Sequence, residues 1–106
     1  MIDRDFKEKE HEETHKFRTE DLPKETEFRI RLQFTDSPIH IKLLKGQAEI
    51  CGAEMTEHYW YRLPTSLSLS VYTWCGCQLK LSSPKECQIQ AYKHSYAEYE
   101  ENPNYF

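Results

Sequence analysis

Glycine is scarce in this chain of 106 residues. There are three, at Gly46, Gly52 and Gly76, where a soluble domain of this size carries about twice as many. The scarcity excludes a glycine-rich phosphate cradle. A P-loop needs G-x-x-x-x-G-K-[ST], so that backbone amides wrap the phosphates and a lysine meets the outer oxygens. No glycine here is followed by Lys. Phosphoryl transfer depends on that positioning and on bound magnesium, so the chain is expected to be noncatalytic and to hold no cofactor of its own.

Long apolar runs are missing as well. The longest is three residues, against the roughly 20 that a membrane helix needs. The opening "MIDRDFKEKE" is too charged for a secretory h-region. No membrane contact and no export are therefore expected. Without a secretion signal, Cys51, Cys75, Cys77 and Cys87 are expected as reduced thiols in small packing or turn positions. A basic surplus is also absent. The net charge is −4 and the pI about 5.7, so the chain as a whole is no electrostatic footprint for nucleic acid.

The charge that is present is unevenly placed. Residues 1–27 carry ten acidic and six basic side chains, residues 28–93 five and eight, and residues 94–106 three Glu with no Lys or Arg. Residues 1–24 read as a charged, flexible arm, because no strongly apolar side chain lies between Phe6 and Phe17 to offset the entropy of ordering. A short strand near Lys16–Arg18 would be anchored by Phe17. Residues 94–106 read as an acidic tail.

Between them, over 25–93, the pattern is strict alternation. "EFRIRLQF" places Phe28, Ile30, Leu32 and Phe34 on one face and Glu27, Arg29, Arg31 and Gln33 on the other, the mark of a half-buried strand. "IHIKLL", "QAEIC", "HYWYRL", "LSLSVYTW", "CQLKL" and "ECQIQAY" continue the rule. Tyr59, Tyr61 and Leu63 are expected inward, Trp60 outward, with turns at "TDSP" and "SSPK". Seven strands with short links predict an antiparallel all-β sandwich or barrel. Lys45-Gly46 is expected to close one hairpin, since positive φ is cheap only for glycine. Gly52 is expected at a kink or bulge ending the next strand.

"LLKGQAEICGAEMT" and "VYTWCGCQLKLS" resemble the amino-terminal domain of the polynucleotide 5′-hydroxyl kinase subunit of the pre-mRNA cleavage factor. That family shows a glycine, then "AEIFGTEL", then a strand ending in "FTWHGC". "KETEFRIRL" is similar to its "RETELRFEV". The likeness covers about residues 14 to 93. It implies a small β-sandwich packed beside a separate kinase domain, which carries the phosphate loop, ATP and magnesium. It also implies a nuclear place in mRNA 3′-end cleavage, polyadenylation and tRNA splicing, with cleavage-factor subunits as partners. In the family a Glu and a Lys of the sandwich reach the adenine side of the nucleotide. The Glu falls on Glu27; the Lys falls on Ser68, which has neither the reach nor the charge of an ammonium.

Two motifs stand apart from that likeness. "HEETH" at 11–15 matches H-E-x-x-H, yet it lies in a charged run with no apolar side and no third ligand. Zinc chemistry is not expected there. Trp60 and Arg62, with Arg29 and Arg31, are candidates for a partner surface. The alternative is an independent single-stranded RNA-binding module, in which outward aromatics beside basic residues stack bases.

Overall fold

The computed structural model describes residues 2–32, 38–63, 68–85 and 89–96. The expected positions of Phe34, Leu67, Cys87 and most of the acidic tail lie outside them. Among the described residues a single 3₁₀ turn, Glu8–His11, precedes nine strands. These are β1 (His15–Leu22), β2 (Thr26–Leu32), β3 (Ile39–Gly46), β4 (Glu49–Ile50), β5 (Ala53–Glu54), β6 (Trp60–Leu63), β7 (Ser68–Thr73), β8 (Cys77–Pro84) and β9 (Ile89–Ser95). They form two antiparallel sheets, one in the order β1-β8-β3-β6 and the other β5-β4-β7-β2-β9. The all-β sandwich read from the sequence is the fold observed.

Alternation explains the core. Phe28 and Ile30 of β2 and Val71 of β7 face Ile41 and Leu43 of β3, Leu79 and Leu81 of β8 and Leu63 of β6 across one continuous apolar interior. Burying each such side chain stabilises the fold by about 1.5–3 kcal/mol. Paired positions carry the pattern across strands. Phe28 opposes Val71, and Leu43 opposes Leu79.

The N-terminal region is built into the sandwich to a greater extent than its composition suggests. β1 is eight residues long, not three, and pairs β8 along its whole length, from His15 opposite Pro84 to Leu22 opposite Cys77. The sandwich thus runs from residue 15 to residue 95. β1 also explains why "SSPK" is not simply a turn. With a partner strand beside them, Ser82 and Ser83 extend β8, and both are buried. Pro84 closes the strand at its last position, where a missing N–H is tolerated.

The glycine assignments need correcting. Gly52 closes the tight hairpin, between β4 and β5. Cys51 and Gly52 both have positive φ, 52° and 80°, the signature of a two-residue type I′ turn. Gly46, at φ 92°, ends β3 where the chain crosses between sheets. A Cβ there would lie 2.4 Å from the Gly76 carbonyl oxygen and 2.7 Å from the Cys77 Cα. The requirement is close backbone approach. The described cysteines divide between the turn and packing positions expected of them. Cys51 and Cys75 are exposed turn residues and Cys77 is half-buried, all as free thiols. Turn geometry, not burial, places the first two.

Candidate functional site

The sandwich has two outer faces, and the candidate residues divide between them. Trp60 and Arg62 belong to β6, and Arg29 and Arg31 to β2 in the opposite sheet. The four cannot form one stacking platform.

On the four-stranded sheet, Trp60 does point away from the apolar interior, but it is only 7% exposed. Residues 2–11 lie over it as a strap. Ile2 bridges to Tyr61, and the Asp3 amide donates to the Trp60 carbonyl at 2.8 Å. Phe6, itself buried, stacks between the His11 and His40 rings at 4.6 and 3.9 Å and meets Trp60 edge-on at 5.1 Å. Lys42 Nζ lies 5.3 Å from the Trp60 ring centre. Glu8 pairs with Lys80 at 2.8 Å. The expectation of an exposed Trp60 therefore fails: a second small aromatic core covers it. Tyr59, expected inward, lies just before β6 and is 41% exposed. The His58 turn, at φ 69°, sets it off the strand register. Arg62 is exposed and stands opposite His40.

The H-E-x-x-H motif runs from the strap into β1. His11 is in the 3₁₀ turn, Glu12 is exposed in the next turn, and His15 begins β1. The motif is on no α-helix, and its rings pack against each other at 4.7 Å near Phe6. Among the described residues no cluster of His, Cys, Asp or Glu could hold a metal ion.

The five-stranded sheet is different, because no described residue lies over its outer face. Glu27, Arg29 and Arg31 share it by alternation. Opposite them on β7 stand Tyr72, Ser70 and Ser68, and on β9 His94, Tyr92 and Gln90. Ser68 is thus in the right row to neighbour Arg31, though its side chain lies outside the described residues. Glu27 is held firmly. Its carboxylate accepts hydrogen bonds from the Ser70 hydroxyl, from Arg29 Nε at 2.7 Å and from the Tyr96 hydroxyl at 3.2 Å. Ser70 foremost, then Arg29 and Tyr96, outweigh the burial and hold its pKa below the ordinary carboxylate value. Arg29 also lies over the Tyr92 ring at 5.9 Å. A cavity of about 270 Å³ opens beside it, lined by Arg29, Ile30, Arg31, Leu69, Ser70 and Tyr92.

Several residues of this face were not singled out from sequence as site residues. Tyr72, Trp74 and Tyr96 cluster at one end, with Trp74 57% exposed. The alternation of "SLSVYTW" makes Tyr72 outward by parity. Nothing local reveals that Tyr96 returns beside it, since that depends on β9 pairing β2.

Comparison with known proteins bears on this arrangement. Residues 21–105 match the family model for the N-terminal beta-sandwich domain of polyadenylation factor. Protein CLP1 homolog 5 of Arabidopsis thaliana is 40% identical over 60 residues, which is 57% of this chain and 14% of that protein. The human polyribonucleotide 5′-hydroxyl-kinase Clp1 is 35% identical over 66 residues, 62% of this chain and 15% of that protein. The chain thus spans about a seventh of the length of these relatives. Among solved structures, Clp1p in its wild-type complex with Pcf11p superposes with a TM-score of 0.62 at 19% identity, over 79% of this chain and 20% of that one. At that identity the likeness speaks for the fold alone. With that family model matched over most of the chain and a β-sandwich observed, this protein belongs to the family of N-terminal β-sandwich domains of polyadenylation factor.

Proposed function

We propose that this chain is a noncatalytic module that braces a kinase domain through the outer face of its five-stranded sheet, in nuclear mRNA 3′-end processing and tRNA splicing. The observation that carries the reading is the state of Glu27. Its carboxylate is half-buried on that face, ionised, and oriented by three donors. A preorganised acceptor of this kind suits the amino edge of an adenine held by a neighbouring domain. The matched relatives include proteins named as 5′-hydroxyl kinases, and a structural neighbour is solved with Pcf11p. Cleavage-factor subunits are the corresponding partners here. Ser68 supplies no charge for the nucleotide, so the contact on this side rests on Glu27.

Replacing the matching segment of the human kinase with this chain tests the proposal. The chimera should bind ATP, and Glu27→Ala should weaken that binding by about tenfold, the loss of roughly one charge-assisted hydrogen bond. If a kinase lacking the whole segment binds ATP as well as the chimera, the bracing role is wrong. The isolated chain should give no ATP-dependent labelling of RNA 5′ ends.

A further inference from the structure

The outer face of the five-stranded sheet is not uniform. Cross-strand register sets Glu54, Glu49, Tyr72, Glu27 and His94 in one row across all five strands. Beyond the row lie Trp74, Glu25 and Tyr96, tied together because the Glu25 amide donates to the Trp74 carbonyl and its own carbonyl accepts from Tyr96. The Trp74 ring stands nearly perpendicular to Tyr72, 78° at 4.8 Å, and the Tyr96 ring lies 6.2 Å from Tyr72. Two carboxylates are fixed to this aromatic corner. Glu49 accepts from the Trp74 indole N–H at 2.7 Å, and Glu27 accepts from the Tyr96 hydroxyl.

We infer that this corner docks an arginine-bearing segment of a protein partner. The inference deepens the bracing role by naming the chemistry of what covers the face. Ring faces flanked by carboxylates attract a cation doubly, through the ring quadrupole and through charge. A guanidinium fits better than an ammonium, because it stacks flat on an indole and meets a carboxylate with two parallel N–H groups. The arginine nearest the corner is already committed. Arg29, one row away, is bound to Glu27, and among the described residues Glu25, Glu49 and Glu54 form no ion pair. Charge also decides against other occupants. Glu25, Glu49 and Glu54, in no ion pair among the described residues, repel a phosphate backbone. The corner is rigid: Glu25 is held at φ 54° between β7 and β9, an uncommon conformation kept by its surroundings.

The test uses the 106-residue chain and a fluorescein-labelled Gly-Arg repeat peptide, followed by anisotropy. The peptide binds, and the matched Gly-citrulline peptide, isosteric but uncharged, does not. Glu49→Gln keeps an oxygen for the indole and weakens binding by about fivefold; Trp74→Leu does at least as much. Glu12→Gln, on the opposite side of the sandwich, leaves it unchanged. If Trp74→Leu does not fold, the Glu49 and citrulline arms decide. Equal loss from Glu12→Gln would reduce the effect to net charge and overturn the inference. So would undiminished binding by Glu49→Gln, or a uridine oligonucleotide binding this face in place of the peptide. Failure here leaves the chimera result standing, because that experiment reads ATP affinity and not the peptide.

Discussion

At the scale of the residue, two glycines with similar backbone angles answer to different constraints. Gly52 sits at φ 80° with no atom within 4 Å of where a Cβ would be. Only the left-handed conformation opposes a side chain there, so Gly52→Ala should cost about 1 kcal/mol. Gly46 adds a steric demand, since its Cβ would enter the Gly76–Cys77 backbone. That backbone is itself anchored: the buried Thr73 hydroxyl donates to the Gln47 carbonyl at 2.6 Å and accepts from the Gly76 amide at 2.8 Å. Gly46→Ala should therefore cost about 3 kcal/mol or more. Urea midpoints of the two variants check the order, and equal losses would refute the distinction. The sequence located both bends but not their kinds, because alternation shows where a strand stops and not what the backbone meets there.

At the scale of the element, the strap over residues 2–11 is held by groups that titrate. His40 is buried, and Nε2 lies 2.9 Å from the Asp3 carboxylate. Burial, the larger influence, pulls the His40 pKa below its ordinary 6.5 despite Asp3. The ring is therefore neutral at neutral pH, with its proton on Nε2 toward Asp3 and an Nδ1 that has no hydrogen-bond partner among the described residues. Arg62 and His11 add to the depression, and Lys42 and Lys80 line the same face. The His40 bond in turn lowers the Asp3 pKa beneath 3.8. Both groups bind protons more weakly when docked, so docking is complete above pH 6.5 and weakens as pH falls below it, with a further loss below 3.8. Trp60 emission should shift to the red over that range, and a His40→Gln variant should lose the upper part of the shift. Emission constant down to pH 4 would show that the strap does not respond. This element was the least legible. One phenylalanine among charges promises no order by itself, and its partners His40 and Trp60 come from strands far along the chain. Strand β2, by contrast, announces itself through the alternation of Phe28, Ile30 and Leu32, which need only a core to face. The candidate site was legible in the same measure. Parity put Glu27, Arg29 and Arg31 on one face, but the assembly of Tyr72, Trp74 and Tyr96 needed the pairing of β7, β2 and β9.

At the scale of the whole molecule, the sandwich has one shared core with a strap on the outside of one sheet, and its cooperativity should follow that plan. The interior residues of the two sheets form a single apolar cluster, so neither sheet keeps a buried face without the other and the two should unfold together. The strap contributes only one buried apolar side chain, Phe6, and a few polar contacts, so it should open at lower free energy than the sandwich. The chain's two tryptophans report on these levels separately. Trp60 lies under the strap, and Trp74 stands on the opposite face at the end of β7. In a Trp60→Phe variant, Trp74 fluorescence should change at the same urea concentration as the far-ultraviolet strand signal. In a Trp74→Phe variant, Trp60 should respond at lower urea, before that signal moves. A strand signal that itself splits into two steps would mean the sheets are energetically separate. Coincidence of all three probes would mean that residues 2–11 are part of the core's cooperative unit, and that acid-driven opening of the strap alone cannot occur.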